Sequence, residues 1–464
     1  MESLKSLFVT FNCGRTVVDV DYFGASLSKT LAKQQQQLPP DLIVLSLQEI
    51  APISYSFLGG AFLQPYLDKF AAAIRLAARS WSQDGLEYIT ILSSNIGMTA
   101  VMILARSDTA NKIQWIETGG TGVGMWEMGN KGAVGARLGY SITGNADDEV
   151  QLTFVAAHLA PTEDNCDRRN EDWRNINENL VFASVPKALK TRSRLTNDSS
   201  TDEVEPLISS ATDERVKLDR SRMHTLIAPS SHTFFGGDLN YRTSDISPHP
   251  DDFQSWPSRD QTPSDPGYYS HLLSKDQLTR EQKAGKTLHH LTEAPINFPP
   301  TYKFSSKAQE QAAKKAEALK STSSSFDSNS PGPDETDWIW AKHRHPSWCD
   351  RILFLNPPFP GTQPTVHLYT SLPLQPSSDH KPVVLLTSIP LKPLPNTGDG
   401  KAWVSPPFKT RPGWEQRRTT ARRLEIVVGV FAYLGLTWEG RALVIGTIVG
   451  ILGGWAALRS LLEY

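Results

Sequence analysis

Residues 233–242 read Thr-Phe-Phe-Gly-Gly-Asp-Leu-Asn-Tyr-Arg, and this stretch decides how the chain folds. Its β-favouring and apolar start followed by two glycines predicts a buried strand that ends in a loop. That loop carries a carboxylate, a carboxamide and a guanidinium on Asp238, Asn240 and Arg242. Loops of this kind carry functional sites, although Gly-Asp and Asn-Tyr pairs also form ordinary turns. The rest of the chain has to decide between a site and a turn.

Composition limits the classes of protein to consider. A chain of 464 residues with 39% hydrophobic content can bury a large core. The balance of 47 basic and 49 acidic residues argues against a surface that binds polyanions as a whole, so we expect no nucleic-acid partner. Cys13, Cys166 and Cys349 are isolated, which indicates a reducing compartment. The first residues form no secretory signal, and we expect a cytosolic main domain.

Strand-like and helix-like segments alternate, which predicts a layered α/β fold. A glycine-rich piece at 119–124 leads to Gly129-Asn130-Lys131-Gly132, but it lacks the Lys-Ser/Thr end of a nucleotide-binding P-loop. Helices are predicted at 61–79 and 168–189. Strands are predicted at 7–11, 41–47, 87–93, 98–105, 133–138, 150–157, 352–355 and 383–387.

Low-complexity segments mark insertions and a linker. Residues 191–219 and 305–335 contain too few apolar residues to bury, so we expect mobile surface loops. Prolines and glycines recur over 391–423, which predicts a linker. These limits place a catalytic domain at 1–390.

The C-terminal part, 424–464, is predicted to be a hydrophobic membrane anchor. Residues 424–438 are almost wholly apolar and 442–458 are uncharged, with Glu439-Gly440-Arg441 between them. The second run could span alone, both runs could form one tilted helix or a hairpin, or the segment could be a buried core helix. Cations before it favour an anionic cytosolic leaflet by about 1 kcal/mol each. We expect a tail anchor in the thin endoplasmic-reticulum membrane, and the oligomeric state stays open.

Polar side chains stand at the ends of six predicted strands. In a layered sheet such ends can converge on one edge. Oxygen ligands without thiols suit Mg²⁺, so the residues point to metal-assisted hydrolysis of a phosphate ester. Taken singly, each residue could instead be a cap, a core histidine or part of a turn. The six positions carry Asn12, Glu49, His158, Asp238 with Asn240, Asp350 with Arg351, and Asp379 with His380.

Several motifs stand out together along the chain. The two strongest are Phe-Phe-Gly-Gly-Asp-Leu-Asn-Tyr-Arg at 234–242 and Pro-Ser-Trp-Cys-Asp-Arg-Ile-Leu at 346–353. Further blocks lie at 129–132, 158–160, 169–172 and 378–383. In sequence and order these motifs resemble the inositol polyphosphate 5-phosphatases, including tail-anchored enzymes of the fungal type, from Leu7 to about Thr387. The chain has Phe11 and Phe235-Gly236 where tryptophan is common in the family.

This resemblance implies a four-layered α/β sandwich, with two packed mixed sheets flanked by helices, and a role for each matching residue. Glu49, assisted by Asn12, would hold Mg²⁺. Asp238 and Asn240 would position and activate the attacking water. The scissile phosphate would be contacted by His380, oriented by Asp350, and by Asp379 and His158. The remaining substrate-binding positions would be Lys131, Arg169, Asn170, Arg174, Arg351 and Lys381.

The predicted function is Mg²⁺-dependent removal of the 5-phosphate from phosphatidylinositol 4,5-bisphosphate, giving phosphatidylinositol 4-phosphate, at a cytosol-facing membrane. The expected partners are the phosphoinositide and the bilayer. One alternative is a phosphodiesterase of the same superfamily that acts on sphingomyelin or nucleic acid, although a nuclease would need a longer basic track. The other is an inactive scaffold that binds phosphoinositides.

Overall fold

The structure is a computed structural model that describes residues 2–32, 39–81, 87–144, 148–184, 224–321, 337–395 and 402–462. Within these ranges the strands form two sheets. The six-stranded sheet contains β1 (Ser3–Asn12), β2 (Leu42–Gln48), β3 (Tyr88–Ile96), β4 (Thr99–Arg106), β13 (Thr365–Ser371) and β14 (Val383–Pro390). The eight-stranded sheet contains β5 (Ile113–Gly122), β6 (Gly132–Tyr140), β7 (Val150–His158), β8 (Val181–Ser184), β9 (His224–Thr225), β10 (Ser231–Asp238), β11 (Leu291–Glu293) and β12 (Asp350–Leu355).

Both sheets are mixed. The strand orders are β13-β14-β1-β2-β4-β3 and β11-β12-β10-β7-β6-β5-β8-β9. The pairs β1 with β2 and β7 with β10 are parallel, and the other named pairs are antiparallel. Parallel neighbours need long crossovers, and the intervening helices supply them.

Helices connect or follow the strands, and several of them pack on the outer faces of the two sheets. They are α1 (Val20–Ala32), α2 (Ile53–Leu58), α3 (Gln64–Ala78), α4 (Ser107–Ala110), α5 (Cys166–Asn179), α6 (Gln277–Lys283), α7 (Ser306–Ser321), α8 (Trp414–Leu436) and α9 (Trp438–Leu462). Short 3₁₀ turns lie at Gly60–Phe62, Met125–Glu127, Asp252–Ser255 and Tyr269–Lys275.

Three apolar clusters define the layers. The inner faces of the two sheets meet in one core, in which Phe8 of β1 packs against Phe154 of β7 with ring centres 6.3 Å apart. Because side chains alternate across a strand, the opposite face of the first sheet packs on α1 and α3 through residues such as Phe23 and Phe70. The opposite face of the second sheet packs on α5 through Trp173. The predicted four-layered α/β sandwich is confirmed.

The register places the polar strand ends at one edge. Asn12 pairs with Gln48, the residue before Glu49, because β1 and β2 run parallel. Asp238 pairs with His158 on its parallel neighbour and with Asp350 on its antiparallel neighbour. The edge of each sheet that carries these residues therefore forms one wall of a common site.

Two predictions of local structure were wrong. The helix predicted to run to Leu189 ends at Asn179, because the buried apolar run from Leu180 to Phe182 continues as β8 against β5. The segment 305–335, expected as a mobile loop, begins with α7, whose Ala308, Ala312 and Ala316 recur at helical spacing and are buried. Residues 322–336 and the whole of the predicted insertion 191–219 lie outside the described residues.

The C-terminal elements differ from the expected linker and anchor. Helix α8 begins inside the predicted linker and crosses the expected boundary at 424, and its Leu424 and Val428 pack against Phe57 of α2. Thr437 alone separates it from α9. Among the described residues α9 is the one helix long and apolar enough to cross a membrane, and its apolar stretch is wholly exposed. The first apolar run thus docks on the catalytic domain, and the second is the candidate span.

Candidate active site

The buried carboxylate of Asp238 lies at the centre of the converging strand ends. Its Oδ2 accepts a hydrogen bond of 2.9 Å from Asn12 Nδ2. The same oxygen lies 3.3 Å from His158 Nε2 and 3.8 Å from His380 Nε2. Burial alone would raise the pKa of Asp238, but the surrounding cationic groups outweigh it and the pKa is lowered. Asp238 is therefore an ionised carboxylate at neutral pH.

His380 is oriented by a second buried carboxylate. Its Nδ1 lies 2.9 Å from Asp350 Oδ2, which also accepts a 2.7 Å hydrogen bond from Thr301 Oγ1. Its ring centre is 4.4 Å from that of Tyr302. Burial disfavours the charged imidazole, but Asp350 and Asp238 raise the pKa of His380 to about 9. His380 is thus a cation at neutral pH, and its Nε2 is directed towards Asp238.

Glu49 and Lys131 form the opposite side of the site. Lys131 Nζ lies 3.8 Å from Glu49 Oε1 and also contacts His158 Nε2. Arg15 Nε donates a 2.7 Å hydrogen bond to Glu49 Oε2. Burial opposes ionisation of Glu49, but the basic side chains around it lower its pKa. Burial also lowers the pKa of His158, and Lys131 adds to that effect, so His158 is a neutral imidazole.

The backbone is unusual at two of these positions. Glu49 has φ +46° and Asn240 has φ +59°, a region that non-glycine residues rarely adopt. The Asn240 side chain is fixed, because Nδ2 donates to the Leu159 carbonyl at 3.1 Å and Oδ1 accepts from Arg242. Positive φ values at non-glycine residues concentrate at functional sites, where the surrounding structure holds them in place.

The donor set fits a hard divalent cation. Carboxylate oxygens of Asp238 and Asp350 lie within 4.8 Å of one another. Asp238 Oδ1 and Asp350 Oδ1 are buried and have no hydrogen-bond partner within the part of the chain that the structure describes. Buried polar atoms in native proteins are normally partnered, so these oxygens are suited to a ligand that the structure does not contain. With the nearby Glu49 carboxylate and Asn12 amide, they form an oxygen-rich site of the kind that Mg²⁺ prefers.

Comparison with known proteins identifies the family. The family model described as endonuclease/exonuclease/phosphatase family 2 matches residues 9–386. The chain belongs to this family. Its curated relatives include inositol-1,4,5-trisphosphate 5-phosphatase 1 of Schizosaccharomyces pombe, 28% identical over 300 residues, and polyphosphatidylinositol phosphatase INP53 of Saccharomyces cerevisiae, 24% identical over 382 residues.

The aligned regions cover most of this chain but only a small part of each curated relative. The aligned regions cover 64% and 82% of this chain but only 20% and 26% of the two relatives, so the chain spans about a fifth to a quarter of their length. A solved relative is the inositol polyphosphate 5-phosphatase domain of SPsynaptojanin in complex with inositol (1,4)-bisphosphate and calcium ion. It is 20% identical, has a TM-score of 0.54 and covers 92% of this chain and 90% of its own. That similarity confirms the endonuclease/exonuclease/phosphatase fold.

The structure brings nine of the fourteen predicted site residues of this family member together. They are Asn12, Glu49, Lys131, His158, Asp238, Asn240, Asp350, Asp379 and His380. Asp379 lies at the rim, with Oδ1 3.9 Å from His380 Nε2 and Oδ2 3.0 Å from Lys303 Nζ.

The other five residues lie away from this cluster, and their predicted place against the headgroup stays a prediction. Each is engaged elsewhere in the fold. Arg169 is buried and donates to the Ala160 and Thr162 carbonyls. The others have these partners: Asn170 contacts Glu281 and Tyr241, exposed Arg174 pairs with Glu178, Arg351 pairs with Asp276 and Glu293, and Lys381 lies over the rings of Phe304 and Trp338.

Four residues to which the sequence analysis gave no role also lie in the site, namely Arg15, Arg242, Tyr302 and Lys303. Arg15 contacts Glu49, and Arg242 both contacts Asn240 and lies over the Tyr302 ring, 4.4 Å from its centre. Lys303 contacts Asp379. The adjacent Tyr-Lys pair after Pro299-Pro300-Thr301 was a usable signal, since a Pro-Pro pair marks a loop and loops often carry functional residues.

A substitution of Arg351 tests whether this residue stabilises the fold or binds the substrate. Its Nε lies 2.7 Å from Glu293 Oε1 and its Nη1 lies 3.1 Å from Asp276 Oδ1. Arg351→Ala should lower the free energy of unfolding by about 3–5 kcal/mol, because the buried Asp276 carboxylate and the partly buried Glu293 carboxylate lose their partner. Chemical denaturation measures this loss. The control Arg174→Ala, at an exposed ion pair, should lower the free energy of unfolding by less than about 1 kcal/mol. If Arg351→Ala instead left stability unchanged and raised KM, Arg351 would be a substrate-binding residue.

Proposed function

We propose that the chain hydrolyses the 5-phosphate of phosphatidylinositol 4,5-bisphosphate in a Mg²⁺-dependent reaction that gives phosphatidylinositol 4-phosphate and phosphate. The observation that carries this proposal is the buried Asp238 carboxylate with Asn12, His158 and His380 around it. The names of the curated relatives, which act on inositol phosphates and phosphoinositides, support the choice of substrate class.

Asp238 and Asn240 act on the attacking water. Ionised Asp238 accepts a proton from it as its oxygen bonds to phosphorus and the bond from phosphorus to the inositol oxygen breaks. The inositol oxygen leaves with the electron pair of that bond and takes up a proton from solvent water. The Asn240 amide uses one N–H on Leu159 and keeps a second N–H to orient the water. The fixed backbone at Asn240 holds this geometry before the substrate binds.

Cationic and neutral donors stabilise the phosphate. The His380 imidazolium, held by Asp350, lies beside Asp238 and offers its Nε2 proton to a phosphate oxygen. Lys131 and His158 approach from the side of Glu49. Glu49 and Asn12 are the residues that would hold Mg²⁺, which neutralises phosphate charge when bound. Lys303 and Asp379 line the rim where the rest of the headgroup enters.

The same proposal places the reaction at a membrane. Helix α9 crosses the endoplasmic-reticulum bilayer, with the catalytic domain in the cytosol. The exposed apolar helix supports the anchor, and the cations of α8 support a cytosolic orientation. Extraction of cell membranes with alkaline carbonate should leave the chain in the pellet, and release into the supernatant would contradict the anchor.

A panel of headgroups tests the activity. The purified full chain in detergent should release phosphate from phosphatidylinositol 4,5-bisphosphate with Mg²⁺ and not with a chelator. The panel includes the lipid trisphosphate, phosphatidylinositol 4-phosphate, soluble inositol phosphates and sphingomyelin. Phosphatidylinositol 4-phosphate is the matched control, since it lacks the 5-phosphate. Release of phosphorylcholine from sphingomyelin would indicate the phosphodiesterase, and binding without turnover would indicate a scaffold.

A further inference from the structure

A buried glutamate on α8 connects the C-terminal helices to the active-site frame. Glu425 is fully buried, and its Oε1 accepts a 2.8 Å hydrogen bond from the backbone N–H of Gly129. Lys131, whose amine contacts Glu49 and His158, follows two residues later. The membrane-proximal helix therefore contacts the backbone of the turn that carries an active-site lysine.

The Gly129 turn is fixed on its other side as well. Met98 N donates to Gly129 O at 2.9 Å, and Ile50 N, next to Glu49, donates to Met98 O at 3.3 Å. The backbone at Gly129 is closely packed, because a Cβ there would lie 2.7 Å from Gly97 N and 2.6 Å from an Ile96 methyl. Displacement of Gly129 would accordingly move the backbone near both Lys131 and Glu49.

Helix α8 is held to the domain by matched contacts. Arg422 donates to the Phe57 and Leu58 carbonyls at the end of α2, at 2.6 and 3.1 Å, and lies 3.2 Å from Glu425. These carbonyls have no partner within their own helix end, so a cation is well placed there. Gly429 lets the helices approach closely, since a Cβ there would lie 3.0 Å from Phe57 Cβ.

We propose that Glu425 is a positioning residue, and that docking of α8 on α2 sets the active-site geometry of Lys131 and Glu49 through the Gly129 turn. The inference rests on the proposed phosphatase function. It makes the helix that leads into α9 a part of the catalytic domain, so that an enzyme with α8 undocked has a lower turnover.

The test compares three variants of the full chain in detergent, with a soluble inositol phosphate as substrate so that membrane recruitment plays no part. Glu425→Ala removes the acceptor. Gly429→Leu separates the helices and leaves Glu425 and every site residue in place. Glu415→Ala is the matched control, since Glu415 is an exposed carboxylate on the same helix. The measurements are kcat, KM, Mg²⁺ affinity by calorimetry and hydrogen exchange of residues 123–132.

Both undocking variants should show faster exchange at 123–132, weaker Mg²⁺ binding and a kcat lower by about 10- to 100-fold, with the control equal to wild type. If Glu425→Ala does not fold, Gly429→Leu decides. Faster exchange with wild-type kcat and Mg²⁺ affinity would overturn the proposal. If wild type releases no phosphate from any substrate, the proposed function fails, and calorimetry still decides this inference: weakened Mg²⁺ binding supports it, and unchanged binding overturns it.

Discussion

Asp238→Asn is expected to lower kcat by about 10³-fold or more. The substitution keeps the size of the side chain and removes the charge that accepts the proton of the attacking water, a contribution of about 10²- to 10⁴-fold. The asparagine also loses its attraction for His380 and His158. Steady-state phosphate release with Mg²⁺ measures the effect, and equilibrium binding of the lipid headgroup should persist.

The control for this variant is Asp260→Asn, at an exposed aspartate far along the chain from the strand ends. Its kcat should equal that of wild type. A thermal unfolding curve for Asp238→Asn distinguishes lost chemistry from lost folding. Turnover of Asp238→Asn within tenfold of wild type, in a folded protein, would refute the role of this carboxylate.

His380→Ala is expected to lower kcat by about 10²- to 10³-fold, the range seen when one donor to a developing oxyanion is removed. The imidazolium is the cation nearest to Asp238 on the Asp350 side, and its charge depends on two carboxylates around it. Phosphate release at neutral pH measures the loss. Asp350→Asn should lower kcat less, since the imidazole remains and only its orientation and charge change.

His367→Ala serves as the matched histidine control. His367 lies on β13 and contacts Ser388 at 2.7 Å, away from the converging strand ends. Its variant should retain wild-type kcat. If His380→Ala kept more than a third of wild-type activity, the phosphate would have to be stabilised from the Lys131 and His158 side instead.

The central part of the site could be predicted because it depends on strand ends. Asn12, His158 and Asp238 each close a buried apolar run, and Glu49 stands one residue beyond its strand. The parallel pairing of two strand pairs then brings these ends to a common edge. Alternation of strands and helices predicted a layered fold in which such ends can converge, and the family resemblance supplied the role of each residue.

The outer site could not be predicted in this way. A sequence shows that Arg169 and Arg351 are cations, but their environment is set by residues about 60 to more than 100 positions away, such as Gln277, Asp276 and Glu293. The guanidinium N–H groups of both arginines are buried and already donate to those partners, so few of them remain for a ligand. Arg15 and Lys303 enter the site through the same kind of distant contact.

Helix α8 differs from the expected linker for a related reason. Recurring prolines and glycines suggested a linker up to 423, but Arg422 and Glu425 of α8 are partners of the domain surface. Only the docked helix reveals that the polar residues and the apolar Leu424 and Val428 lie on one buried face. Likewise, the segment of α7 looked too poor in apolar residues to be buried, yet three of its alanines form a buried face.

The docked α8 also limits the distance over which the enzyme can search. A flexible tether of the length of 391–423 would have an end-to-end distance on the order of 30 Å, which would let the domain reach a second membrane apposed to its own. The stretch of α8 from Glu425 to its end instead sets the Gly129 turn on the order of 20 Å along the axis from the start of α9. With α9 inserted as proposed, the enzyme would consume lipids of its own leaflet and leave those across a membrane contact untouched.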